Sequence, residues 1–157
     1  MTNQEINVFS RKITNASKSQ LVVIMYEVAI KYIDDGIEAL NNNEVDSYRL
    51  NLKRSKAVIN ELISVLDMTQ KISVELRRLY VFMVGVLVKA DIRKETDELL
   101  RVREMLKKLM EAFSVVSESD GSGPLMENTQ AVYAGLTYSK DSLNENIYSA
   151  TNRGYKV

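Results

Sequence analysis

The carboxylates are the first place to look for chemistry in this chain. Asp34 and Asp35 are adjacent, and Glu95, Asp97 and Glu98 stand close together, so either group offers oxygens for acid–base work or for a cation. Neighbouring positions on a helix diverge rather than converge, so Asp34 and Asp35 do not aim at one atom. The later trio fits the start of a helix, where negative charge meets the positive end of the helix dipole. Histidine and cysteine are absent, which removes the commonest general base, the commonest zinc ligands and every thiol nucleophile. The run 121-GSGP-124 lacks the strand and the lysine of a phosphate-binding loop. Asn15-Ala16-Ser17 matches a glycosylation acceptor, but no signal peptide precedes it, and it reads as a helix-capping segment. The seven methionines read as core filler. The expectation is a protein that is not an enzyme, with no catalytic residue, cofactor or metal.

What remains is a chain that must act by packing. Its 157 residues, 45% hydrophobic and 27% charged, suit one globular core. A formal net charge of zero argues against a nucleic-acid partner, which calls for a positive excess. The start, MTNQEINVFSRKITN, has no apolar core of a secretory signal. The longest apolar run, 79-LYVFMVGVLV-88, is about half of what a membrane span needs. These features predict a soluble, cytoplasmic protein without membrane insertion.

The spacing of apolar residues predicts an all-α fold, an antiparallel up-down four-helix bundle with an N-terminal arm and a polar C-terminal extension. Residues 1–14 are polar with scattered apolar positions and read as the arm. Ser17 stands three residues ahead of Gln20, a capping-box arrangement, so a first bundle helix follows to about Leu40. Its apolar positions are Leu21, Ile24, Met25, Val28, Tyr32 and Ile37. Asn41, Asn42 and Asn43 end it. A second helix from about Asn43 to Leu66 carries the seam Tyr48, Leu52, Ser55, Ile59, Leu62 and Leu66, whose alternating steps of four and three mark a bundle. A third runs from about Ser73 to Ala90. A fourth, from Thr96 as cap to about Val116, carries Leu99, Val102, Leu106, Leu109, Phe113 and Val116. The bundle domain is thus 15–116, residues 117–124 read as a linker, and 125–157 form the extension, which holds Tyr133, Tyr138, Tyr148 and Tyr155.

The third helix is wider in apolar surface than a bundle requires. At about 100° per residue, Leu76, Leu79, Tyr80, Met83, Leu87 and Ala90 face the bundle. Val81, Val84 and Val88 lie to one side and Phe82 and Val86 to the other, leaving a narrow seam of Arg78, Gly85 and Lys89. Either this helix is central and covered by the arm or the extension, or the surplus is a groove for a partner helix.

Four strings in register resemble the flagellar secretion chaperone family FliS: 15-NASKSQLVVIMYEVAIKYIDDGIEAL-40, 57-AVINELISVLD-67, 79-LYVFM-83 and 109-LMEAF-113. The chain departs from that pattern at Lys18, where the family has proline, at Glu27-Val28, at 69-TQK-71 and at Val81. The resemblance implies a cytosolic chaperone that binds the C-terminal segment of flagellin in an apolar helical groove and prevents early polymerisation. On this reading the expected partner-binding set is Ile59, Ile63, Leu66, Val81, Phe82, Val84 and Val88, and the resemblance implies an arm that covers part of this surface, here through Ile6, Val8 and Phe9. The alternative is a helical module whose surplus surface forms a homodimer.

Overall fold

The computed structural model describes residues 1–125. They form five α-helices, α1 (Asn3–Thr14), α2 (Lys18–Asn41), α3 (Val45–Ser64), α4 (Lys71–Arg93) and α5 (Asp97–Ser119), with no strand among the described residues. The expected extension lies outside them, apart from Leu125.

The helix boundaries follow from local chemistry. Ser17 opens α2 as expected: its hydroxyl accepts from the Gln20 N–H at 3.3 Å, and the Gln20 side chain accepts from the Ser17 N–H at 2.9 Å. Thr2 and Glu5 make the same box at the start of α1, so the segment read as an arm is a helix. Asn43, with φ of 60°, turns the chain out of α2, since asparagine tolerates the left-handed region better than most residues. Lys94, with φ of 57°, does so after α4. Thr96 stands at the N-cap of α5 but its side chain makes no capping bond, which corrects the expected role. The acidic Asp97 and Glu98 in the first turn supply the favourable charge instead. α5 also runs on through Ser117–Ser119, into the stretch expected to be a linker.

α2 packs against both α3 and α5, α3 against α4, and α4 against α5, while α1 packs against α2 alone. The shared core includes Tyr26, Ile33, Tyr48, Ile59, Leu62, Tyr80, Met83, Leu87, Leu99, Val102 and Leu106. With α1, α3 and α5 on its flanks, α2 leaves only Glu38 fully exposed between Leu21 and Leu40. This explains why the apolar spacing of α2 located its inner face only in part: the buried residues are Ile24, Tyr26, Ala29, Ile30, Ile33, Gly36 and Ala39, and of the six positions read from the spacing Ile24 is buried while Met25 and Ile37 pack against the core from its edge. A helix covered on several sides carries apolar residues all round, and its phase is blurred. At Gly36 the α2 backbone comes close to α3; a Cβ there would sit 3.6 Å from Asn51 and from Leu52.

Several polar groups inside this core are paired across helices, while Asp91 Oδ1 and Arg103 Nε are buried without a hydrogen-bond partner among the described residues. Tyr48 donates to the Ala90 carbonyl at 2.7 Å and Ser55 to the Ala29 carbonyl at 3.1 Å, tying α3 to α4 and to α2. The Tyr26 and Tyr80 hydroxyls bond each other, and the Tyr26 ring also tilts against Phe113 at 5.6 Å. Burial raises both phenol pKa values above the ordinary one, so the pair stays neutral at physiological pH. Beyond α5, Asp120 bonds Ser19 at the start of α2, and the Leu125 N–H donates to the Ala16 carbonyl at 3.0 Å.

Candidate partner-binding surface

The central helix is α2, so α4 is left at the periphery with part of its apolar surface uncovered by the other helices. One face of α4 enters the core through Ser73, Leu76, Tyr80, Met83, Val86, Leu87 and Ala90. The opposite face carries Val81, Phe82 and Val88, which are 55%, 58% and 40% exposed. Ile92 extends this face toward the C-terminal end of the helix, and Ile72 and Leu79 are exposed elsewhere on α4. Covering one large apolar side chain contributes about 1.5–3 kcal/mol, so three such residues on the outer half of one helix form a surface with a sizeable unspent binding capacity.

The N-terminal part of this face lies beside the α3–α4 connection. Met68 from that connection joins Val74, Arg77, Arg78, Val81 and Phe82 around a shallow groove of about 640 Å³. Its floor is apolar and its edge carries two guanidinium groups. Arg78 pairs with Glu75 at 2.9 Å, whereas Arg77 makes no ion pair among the described residues.

The expected partner-binding residues divide between surface and core. Val81, Phe82 and Val88 lie together on the open face of α4. Val84, Ile63 and Leu66 are half-buried and pack against the core cluster, so they border the surface without forming it. Ile59 is 0% exposed and is corrected to a core residue: its place in the α3 seam, between Ser55 and Leu62, points it inward. Val86 is also buried, while Met68 and Val74 belong to the groove although the expected set lacked them. Val74 could have been found from its sevenfold spacing to Val81 and Val88, which places all three along one side of a helix.

The N-terminal helix does not cover this surface. α1 lies along α2, held by the Met1 amino group on Asp35, by Glu5 on Lys31 at 2.9 Å and by Lys12 on Glu27 at 2.6 Å. These contacts follow Glu27, Lys31 and Asp35, one side of α2, and keep α1 away from α4. Ile6 and Val8 remain exposed and Phe9 half-buried, with Lys12 over the Phe9 ring at 5.5 Å. The expected covering of α4 by Ile6, Val8 and Phe9 is therefore corrected. Hydrogen bonds from the Thr2 backbone and from Lys31 hold the Glu5 carboxylate down at about 2.

Among the described residues no group of three or more histidine, cysteine or acidic side chains is placed to hold a metal. No helix there is long and apolar enough to cross a membrane. What the α4 face offers is an apolar strip with cationic edges, suited to holding another polypeptide.

The family model described as "Flagellar protein FliS" matches residues 1–120. A relative named flagellar secretion chaperone FliS, from Bacillus subtilis (strain 168), is 23% identical over 108 residues, covering 69% of this chain and 81% of the relative.

Proposed function

The chain belongs to the FliS family of flagellar proteins, and from that premise we propose that it is a cytosolic export chaperone for flagellin. The family is one of chaperones rather than enzymes. In this reading the C-terminal segment of flagellin, unstructured before assembly, settles on the open face of α4 and is kept from polymerising until export. The observation that carries the proposal is the exposure of Val81, Phe82 and Val88 side by side on a helix whose other face is core. Such a surface gives a disordered segment apolar anchors against which to order, and the gain from covering them offsets the entropy lost on folding.

The rest of the chain supports that task. We take α2–α5 to run up, down, up and down as a four-helix bundle, because the connections at residues 42–44, 65–70 and 94–96 are short. Residues 15–116 are then the chaperone body, Met1–Thr14 an accessory arm docked on α2, and the chain after α5 an appendage to the body. Ile63, Leu66 and Val84 flank the bound segment, and Val81, Phe82 and Val88 anchor it.

The test is direct. Purified chain mixed with flagellin monomer of the same bacterium forms a soluble complex and delays filament growth, and Val81→Asp weakens the complex about tenfold or more by placing a charge in the apolar contact. A chain that neither binds flagellin nor slows its polymerisation would contradict the proposal.

A further inference from the structure

Gly85 is the one feature of α4 that the fold itself does not account for. It lies in the middle of the helix, where glycine is less favourable than alanine or almost any other residue. Gly36 in α2 has α3 against it; at Gly85 a Cβ would meet nothing within 4 Å. Its surface neighbours at three and four residues' distance are Val81, Phe82, Val88 and Lys89, all exposed. A bare stretch of backbone thus sits between Val81 and Val88 on one side and Phe82 on the other, in line with Arg78 and Lys89.

The charges around the strip are one-sided. α4 carries Lys71, Arg77, Arg78, Lys89 and Arg93 against Glu75 and Asp91, in a chain with no net charge. Both carboxylates are engaged, Glu75 with Arg78 at 2.9 Å and Asp91 with Arg49 at 3.5 Å. Arg77 and Lys89, towards either end of the strip, make no ion pair among the described residues. A second copy laid on this face would set these cations against their own kind, whereas a segment with acidic edges would pair them.

We propose that the partner segment crosses α4 as a helix with its backbone directly over Gly85, and that it is amphipathic, with apolar anchors between Val81, Phe82 and Val88 and acidic side chains facing Arg77 and Lys89. This rests on the reading of the α4 face as the chaperone's binding surface and specifies how that surface is used. The missing side chain lets the two backbones approach closely, so that side chains around the crossing point interlock. The stability that α4 forgoes at Gly85 is then recovered only in the complex.

Gly85→Ala, Gly85→Leu and Arg77→Glu/Lys89→Glu, with Val81→Asp as the control for the surface itself, separate the possibilities. Each full-length variant is titrated with flagellin monomer at low and high salt, and its thermal midpoint is measured alone. Gly85→Ala and Gly85→Leu raise the melting temperature because they improve the helix. Gly85→Ala nevertheless weakens binding by about threefold to tenfold and Gly85→Leu by about a hundredfold, as expected when a close contact is overfilled. The double charge reversal weakens binding about tenfold or more at low salt, with a smaller effect at high salt. If Gly85→Leu binds as the wild type does while Val81→Asp does not, the crossing at Gly85 is wrong and the surface reading stands. If the charge reversal leaves binding unchanged or tightens it, the acidic character of the partner is wrong. A wild-type chain that fails to bind flagellin overturns the chaperone reading and this inference together, and a dimer broken by Gly85→Leu identifies a second copy as the occupant and overturns it as well.

Discussion

Tyr26 and Tyr80 show how much of this molecule is settled by pairs of side chains distant in sequence. Each buried hydroxyl has the other as its partner, so Tyr80→Phe strands the Tyr26 hydroxyl and is expected to cost about 1–3 kcal/mol, as is Tyr26→Phe. The double variant removes both polar groups and should cost clearly less than the sum of the two, which urea denaturation of the four proteins will measure. Asp120 is a second such pairing. Hydrogen bonds from Ser122 and Ser19 hold its carboxyl at about 2, below its ordinary value of 3.8. A lowered folded-state pKa means that this stabilisation is complete above about pH 4 and disappears as the pH falls through about 2. Asp120→Asn should therefore flatten the acid side of the stability curve between those limits. The Ser17 cap was legible in the sequence because its partner, Gln20, is three residues away. The bond between Ser19 and Asp120 was not, because no local pattern links the two ends of the body.

Whole helices were easier to read than the faces they present. The existence of α2–α5 and most of their limits followed from caps, asparagine stops and apolar spacing, and the α3 seam from Tyr48 to Leu62 is buried as its spacing predicted. The phase of α2 was hidden by its coverage on several sides, and the helical nature of residues 3–14 by their polarity. The excess of apolar surface on α4 was visible in the sequence, but which part of it lies open depended on where α2 and α1 pack. Ile59 and Val81 test that division. Ile59→Ala, in the core, is expected to cost about 2–5 kcal/mol of stability, whereas Val81→Asp, on the surface, should stay within about 0.5 kcal/mol; thermal and urea unfolding decide both. α1 buries no residue completely and is held by two exposed ion pairs, which contribute little, and by the more sheltered pair of the Met1 amino group with Asp35, which keeps Lys31 as its partner when α1 is removed. A chain beginning at Asn15 should fold with a melting temperature lowered by less than about 5 °C, and a loss of cooperative unfolding would show that α1 is part of the core.

At the scale of the whole molecule, a closed core and an open helix face divide stability from function. The helices bury a shared core, and α4 leaves one apolar side exposed, the side proposed to hold another polypeptide. The absence of cysteine makes this claim directly measurable, since single cysteines placed at Val81, Val88 and, as a control, the exposed Lys53 of α3 can each be labelled with a maleimide without background. Adding saturating flagellin should slow labelling at positions 81 and 88 by about tenfold or more, as expected for residues removed from water in an interface, and leave position 53 little changed. Equal labelling rates at positions 81 and 88 with and without bound flagellin would contradict the account, because the partner would then be held somewhere other than the open face of α4.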